Sequence, residues 1–528
     1  MNKNLIGLCC FLFIEFIYCQ QEPYRNQQIL DTNNITIRIN NIGSTQSNDG
    51  YGGAFWKILS GGSYVMFDQG IWVIGKIDNF PHLSLSRWIN YYSPGPILEN
   101  NSAMISRPED SLKYRVYKIS KGDTNFSNPD VNEWPIEWGA PADSLNNPLV
   151  YNDQLLYTVY NAYDSSLYRR KQWNTDLDTL PIMPLEIHQL VYAWGRYSSE
   201  NILSNVIFLE YEIINKGTQN IDSTFIGFWT DIDFYDAGSN PPAVDVENQL
   251  GYCWSGTNSH PWFNSPPPAV GYTLLYGPIT QSYGDSAIFK GNKIINYKNL
   301  SLSSYYPQDS YLSHLSNYYT NLMETWNIAR GFDDIGEKII NPITGEETKF
   351  PFDGDPVTNI GWVYPESNTN GEAGFVFFSG PFTLAPNDTQ WVMLALVPGL
   401  GTNRFESIRA MQNNAKILHS LTYDQLVEKS SIVIYEPPVL PEHYFLSQNY
   451  PNPFNPKTKI DFEIPVKGNV EMQVFNLLGE KIATLVNDEK EPGSYTIEFD
   501  GNKFASGIYF YRMESLNFSN TKKLILLK

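Results

Sequence analysis

Apolar and polar positions alternate along most of this chain with the two-residue period of β-strands. Ile35, Ile37 and Ile39 alternate with polar neighbours and run into a loop of Gly, Ser and Asn from Gly43 to Gly53. A second strand region spans Tyr64 to Ile77, broken by Gly70 and Gly75. The clearest alternation sets Ile207, Leu209, Tyr211 and Ile213 against Glu210 and Glu212, after which Asn215, Lys216 and Gly217 turn the chain toward Phe225 to Trp229. This predicts an antiparallel pair with one face in the core and one in water. Helical spacing is rarer. It links Leu312, Leu315, Leu322 and Trp326, and again Ile408, Met411, Ala415 and Leu418, where Asn403 followed by Glu406 signals a cap. Helices are therefore expected as decorations on a β architecture, and no internal repeat suggests a solenoid or propeller.

The run EPPVLPE, within residues 435–443, favours an extended and stiff connection, which is where a domain boundary belongs. Beyond it the alternation shortens: Ile460, Phe462 and Ile464, then Val470, Met472 and Val474, then Tyr495, Ile497 and Phe499, then Ile508 and Phe510, then Leu524 and Leu526. Turn signals fall at Asn476 to Gly479, Pro492 to Gly493, Asp500 to Gly501 and Asn517 to Asn520. Short strands at this spacing predict a small β-sandwich of immunoglobulin-like size. The expected fold class is thus mainly β, with β-sandwich domains, a few helices and a terminal immunoglobulin-like sandwich. The expected plan is a leader at 1–19, a body at 20–434 of two or more β-rich domains, a proline-rich linker at 435–443 and a last domain at 444–528.

The leader follows from Lys3, the apolar run from Leu5 to Cys19 and the polar stretch after it. That is the layout of a secretory signal peptide cleaved near Cys19 or Gln20, although Glu15 places a charge inside the apolar run. The alternatives are an uncleaved anchor or lipidation of Cys19. No later stretch stays apolar for the roughly 18 residues that a membrane span needs, so no transmembrane segment is expected once the leader is gone. Cys9, Cys10 and Cys19 belong to the leader, which leaves Cys253 without an intramolecular partner and reads it as a small buried apolar side chain. The formal net charge of -20 repels phosphate backbones and excludes nucleic acid as a partner.

Motifs for catalysis are missing. His82, His188, His260, His314, His419 and His443 are scattered, without zinc-ligand spacing, and nucleophile elbows and nucleotide-binding loops are absent. Trp134, Trp138, Trp173, Trp194 and Trp262 could stack on sugars or simply pack. Asp231, Asp233 and Asp236 follow an apolar strand directly, with Asp245 and Glu247 downstream. Clustered carboxylates suit calcium, the one cofactor the sequence suggests, and a solvated loop is the alternative. Asp353 and Asp355 form a weaker candidate, read as turn formers.

Four segments carry a resemblance: FLSQNYPNPFNPKTKIDFEIP (Phe445 to Pro465), VFNLLGEKIATLV (Val474 to Val486), FASGIYFYRMES (Phe504 to Ser515) and TKKLILLK (Thr521 to Lys528). Together they resemble the type A C-terminal sorting domain of the type IX (Por) secretion system. The resemblance implies a Gram-negative source, passage through the periplasm and recognition by an outer-membrane translocon. It further implies removal by a sortase-like peptidase and cargo released outside or attached to a surface glycolipid. The positions that carry it are Asn449, Pro451, Asn452, Pro453, Phe454, Asn455, Pro456, Gly479, Gly507, Tyr509, Lys523 and Lys528. Physically, the prolines bar regular helix or central strand and suit a rigid lead into the following strand. Gly507 is expected to permit a tight approach, and Lys522, Lys523 and Lys528 also read as a solubilised edge strand. Body segments such as FIGFWTDIDF and FPFDGDPVTNIGW resemble uncharacterised regions of other exported proteins with this tail, which brings no activity. The expected body is a structural or adhesive surface component; the alternative is a secreted protein that binds or hydrolyses glycans.

Overall fold

The computed structural model describes residues 26–45, 52–57, 59, 63–86, 92–97, 112–163, 183–196, 201–234, 240–258, 267–308, 322–365, 374–434 and 441–528. The leader, Asp236, and residues 435–440 of the proline-rich run lie outside them, as do His260, His314, Trp173 and Trp262. The chain divides into two compact units, Met1–Ile434 and Tyr435–Lys528. Both are mostly β.

The larger unit is built on two antiparallel sheets. One is nine-stranded, in the order Pro242–Asp245, Leu250–Trp254, Ala269–Tyr276, Thr389–Gly399, Ile207–Asn215, Leu185–Ala193 and Gln154–Asn161, with Ser93–Pro94 and Tyr117–Ser120 both paired to the last of these. The other is five-stranded, in the order Leu302–Gln308, Gly374–Leu384, Ile221–Asp231, Asp68–Ile77 and Phe80–Leu85. Successive side chains on a strand point to opposite faces. One face of the first sheet sends Leu209, Tyr211, Ile213 and Leu394 into the same buried cluster as Ile71, Val73, Phe228 and Phe377 of the second. The opposite face, with Phe208, Trp391 and Met393, packs against Ile408, Met411, Ala415 and Leu418 of the helix Arg404–Ser420. Beyond the five-stranded sheet, Phe225 meets Trp326 of the helix Leu322–Ala329 edge-on, at 6.2 Å between ring centroids. Helices thus lie on the outer faces of the paired sheets.

This layering corrects the reading of the clearest alternation. The strands Ile207–Asn215 and Ile221–Asp231 do not pair. The first pairs with Leu185–Ala193 and Thr389–Gly399, the second with Asp68–Ile77 and Gly374–Leu384. The turn between them carries the chain from one sheet to the other. Asn215 fastens that crossing: its Nδ2 donates to the carbonyls of Gln219 (2.8 Å) and Leu384 (2.9 Å), and its Oδ1 accepts from Gly217 N (2.9 Å). Glu210 does not face water, because its side of the sheet is covered. Gly70 and Gly75 do not break the strand either; the break falls at Phe67, and both glycines sit within Asp68–Ile77. There they allow close packing, since a Cβ at Gly70 would stand 2.1 Å from the carbonyl oxygen of Ser86. The helical spacing that began at Leu312 gives the helix Leu322–Ala329; its earlier positions lie outside the described residues. The second helix is capped as expected by Asn403, whose Oδ1 accepts from Phe405 N and Glu406 N, at 3.0 and 3.1 Å.

The smaller unit is a β-sandwich of three strands on four. One sheet runs Phe445–Leu446, Lys457–Ile464, Gly493–Asp500; the other runs Lys481–Lys490, Gly468–Phe475, Gly507–Ser515, Phe518–Leu526. Most of the alternating residues meet between them: Ile460, Phe462 and Ile464 pack with Val470, Met472, Val474, Leu524 and Leu526, whereas the strand Gly507–Ser515 buries Tyr511 and Met513 and leaves Ile508 exposed, so its core face is the opposite of the one its Ile508 and Phe510 spacing predicts. Two strands lack a clear alternation in the sequence. Phe445–Leu446 is only two residues long, and Lys481–Lys490 buries only Val486 fully because it lies at a sheet edge. The final hairpin turns at Leu516 and Asn517, between the paired Ser515 and Phe518, so Asn520 belongs to a strand rather than a turn.

Candidate functional site

Two of the sorting positions, Asn452 and Phe454, meet the last strand of the smaller unit. Phe518–Leu526 lies at the edge of its sheet, and the backbone groups on its outer side would otherwise be left without strand partners. The proline-rich segment supplies partners. Phe454, which is not a proline, donates its N–H to the Ile525 carbonyl at 2.9 Å and accepts from Leu527 N at 3.0 Å, forming a parallel bridge with Leu526. Asn452 extends this pairing with its side chain: Oδ1 accepts from Ile525 N at 2.9 Å and Nδ2 donates to the Lys523 carbonyl at 3.2 Å. Gln448 Nε2 donates to the same carbonyl at 2.6 Å. The asparagines and Phe454 thus do what the flanking prolines, lacking N–H groups, cannot.

Asn449 holds the start of this segment. It is buried, its backbone N–H donates to the Tyr511 hydroxyl at 2.8 Å, and its Nδ2 donates to Thr458 Oγ1 at 3.0 Å and the Pro451 carbonyl at 3.1 Å. Tyr511 in turn donates to the Ser447 carbonyl. Burial pushes its phenol up to about 12, against the opposing Asn449 N–H, so it stays a neutral donor at physiological pH. At the far end, Gly501 N donates to the Pro456 carbonyl at 2.7 Å, and Phe454 packs on Phe499 with ring centroids 5.9 Å apart. Gln448, Thr458 and Tyr511 were not singled out in the sequence. Tyr511 looks there like another strand aromatic, and only its hydroxyl partners reveal its role.

The remaining sorting positions have separate settings. Gly479, at φ +80, closes the hairpin Asn476–Glu480 on the opposite edge of the same sheet, with its N–H donating to Asn476 O at 3.0 Å. Tyr509 donates its hydroxyl to the Ala505 carbonyl at 2.8 Å. Lys523 is exposed and contributes its carbonyl; Lys528 Nζ reaches the Asn502 carbonyl at 2.6 Å. Pro451, Pro453 and Asn455 are exposed. The tight approach expected at Gly507 is not there, since a Cβ would meet only Tyr509 Cε2, at 4.0 Å.

In the body, Asp231 ends its strand buried, with Asp68 as its register partner on one side and Gly374 on the other. Asp68 Oδ1 accepts from Ser44 Oγ (2.9 Å), Thr45 N (3.0 Å), Thr45 Oγ1 (3.1 Å) and Gln69 N (2.8 Å). Asp233 lies two residues beyond Asp231, half-buried. Burial first, then the charges of Asp231 and Asp233, push the Cys253 thiol well up, which leaves it protonated and unreactive inside the core. Among the described residues no group of three or more His, Cys, Asp or Glu is placed to hold a metal ion. Asp245 and Asp355 form turns: Asp245 Oδ1 accepts from Asn248 N at 3.1 Å, and Asp355 Oδ1 from Val357 N at 3.0 Å, while Asp355 Oδ2 also meets Arg409 at 2.6 Å.

Other buried acids serve the packing. Glu210 accepts from the Tyr192 hydroxyl (2.6 Å), Trp391 Nε1 (2.9 Å) and the Tyr423 hydroxyl (3.0 Å). Burial raises its pKa above the usual carboxylate range despite those donors. Glu186 is also buried, yet His188 at 2.9 Å, the Ile97 N–H and Lys216 hold it below that range. Glu210 ties the sheet to the segment after the helix Arg404–Ser420, and its oxygens are engaged by that packing.

Residues 448–527 match the family described as the secretion system C-terminal sorting domain, Por_Secre_tail. The smaller unit is therefore a type IX sorting domain, and the protein is exported by that route to the cell surface or the extracellular space. No curated protein matches the chain. Among solved structures it is similar to a polysaccharide lyase at 8% identity, over 65% of this chain and 34% of that one, with a TM-score of 0.17. The chain thus spans about a third of that structure's length, and a score so low carries no argument. No helix among the described residues is long and apolar enough to cross a membrane.

The edge pairing gives a graded expectation. Asn452→Ala removes both side-chain bonds at a half-buried position and should destabilise the sorting domain by about 1 kcal/mol, lowering its calorimetric transition in the full chain by roughly 4–8 °C. Asn452→Asp keeps the acceptor for Ile525 and should cost less, while exposed Asn455→Ala should move the transition little. Equal effects at 452 and 455 would contradict the pairing.

Proposed function

We propose that the sorting domain docks on the type IX outer-membrane translocon and is then removed by a sortase-like peptidase. The body is left outside the cell, released or attached to a surface glycolipid, as a structural or adhesive component. The observation that carries this reading is the sorting-domain match at residues 448–527, on a unit with its own closed core. We also read that unit as immunoglobulin-like. Its division of strands and the bond from the Tyr509 hydroxyl to the carbonyl four residues upstream support this. The adhesive reading of the body is supported by its large covered sheets and by buried carboxylates engaged in packing. The alternative is a glycan-active body. Hydrolysis would need two carboxylates facing a cleft, and Glu210 is instead held by three donors.

Deleting Tyr444 to Lys528 should leave the body folded and trap it in the periplasm, as read by cell fractionation with limited proteolysis. Normal appearance of the truncated protein outside the cell would defeat the export reading.

Calcium at Asp231, Asp233 and Asp236 is a further proposal, supported by the register that sets Asp68 beside Asp231. An ion that binds only the folded state stabilises it by an amount that grows with the logarithm of concentration, about 2.7 kcal/mol at a hundred times the dissociation constant. Millimolar calcium should raise the thermal midpoint over that in chelator, and changing Asp231 and Asp233 to Asn should abolish most of the rise. Identical midpoints of the unchanged protein in the two buffers would remove calcium from the account.

A further inference from the structure

We infer that a cationic cleft on the outer side of the five-stranded sheet binds a sugar unit carrying an oxyanion, either a carboxylate or a sulfate ester. The cleft has a volume of about 460 Å³, within the range of small-ligand pockets. Lys76, Arg330 and Lys349 line it, around a floor of Phe225, Trp326 and Phe332. No lining residue is acidic, although the whole chain carries a formal net charge of -20. None of the three cations forms an ion pair among the described residues. Asp222, adjacent in sequence to the lining Ser223, accepts instead from the Thr383 hydroxyl at 3.0 Å.

Aromatic rings lie against two of the three positive charges. Lys76 Nζ lies 5.0 Å from the ring centroid of Trp326, and the Arg330 guanidinium lies 5.3 Å from the same ring and 4.9 Å from that of Phe332. Arg330 is fixed further by Nε donating to the Trp326 carbonyl at 3.2 Å and Nη2 to Asn327 Oδ1 at 2.9 Å. These bonds leave Nη1 and one proton of Nη2 for a ligand. A planar guanidinium fork held this way matches the paired oxygens of a carboxylate or sulfate and loses little further freedom on binding.

The backbone around the cleft is irregular where the cleft needs it. The strand Ile221–Asp231 bulges between Asp222 and Phe225 against its Lys76 side and between Ile221 and Ile226 against the Gly374–Leu384 side. Such bulges redirect side chains beside binding sites. Ser223 stands in this bulge at φ +48, a conformation that a residue with a side chain seldom adopts, and it is one of the residues that line the cleft. The cavity is larger than a bare ion requires. Half-buried Phe332 offers apolar surface beside the Arg330 guanidinium for the C–H face of a sugar ring, and Ser223 and Ser303 add polar residues to the lining.

Calorimetric titration of the full chain at low ionic strength tests this, with digalacturonate, a sulfated neutral disaccharide, lactose and inorganic sulfate as probes. At least one acidic disaccharide should bind, more weakly as salt rises. Lactose and inorganic sulfate should bind at least tenfold more weakly, and the two acidic arms tell carboxylate from sulfate. Arg330→Gln should weaken binding at least tenfold. Lys349→Glu, at an exposed position that leaves folding intact, should do the same. Failure of both acidic disaccharides to bind would overturn the proposal, as would lactose or inorganic sulfate binding as well as they do, or unchanged affinity in Lys349→Glu.

Discussion

A strand at the edge of a sheet carries a row of N–H and C=O groups that seek partners, and the sorting domain ends on such a strand. Its outer side is covered by the segment that begins the domain. Phe454 pairs with Ile525 and Leu527 through its backbone, Asn452 pairs with Ile525 and Lys523 through its side chain, and buried Asn449 anchors the approach on Tyr511 and Thr458. The proline-rich run and the terminal strand, 71 to 73 residues apart in the chain by the separations of these bonds, therefore form one structural feature. The arrangement covers the edge that would otherwise template pairing with another chain, while leaving Pro451, Pro453 and Lys523 on the surface.

The body solves a different problem with the same chemistry. Its two principal sheets are covered on both faces, so its central strands are apolar almost throughout, as in Trp391 to Val397. Where an acid enters such a strand it must be held by donors, because an unpartnered buried carboxylate is costly. Glu210 has two hydroxyls and an indole N–H; Glu186 has an imidazole, an amide and a lysine. The surface cleft around Trp326 reverses this pattern. There the charges are positive, and two of them, Lys76 and Arg330, lie over rings rather than beside carboxylates.

Much of the smaller unit was legible in the sequence because its strands bury one face each, which produces the alternation at Ile460 to Ile464 and Val470 to Val474. The edge strand Lys481–Lys490 was not legible, since a strand that buries little has little reason to alternate. In the body, the Glu210 and Glu212 alternation suggested a wet face. Periodicity reports which side chains share a face, but it cannot report that a helix more than a hundred and eighty residues later in the chain, near Trp391 and Tyr423, will help cover it. The sorting positions were legible through motif resemblance, and their physical roles were not: Asn452 acts as a substitute for backbone, and Gly507 occupies open space. The cationic cleft gave no sequence signal at all, because Lys76, Ser223, Arg330 and Lys349 are brought together only by strand order and a bulge.

The central claim is that the start of the sorting domain pairs with its last strand. Native-state hydrogen exchange of the full chain reads that pairing at single amides. The account predicts that Ile525 and Leu527 exchange as slowly as Leu524, which faces Tyr509 in the adjoining strand. Rapid exchange at Ile525 and Leu527 beside a protected Leu524 would show an open edge and contradict it.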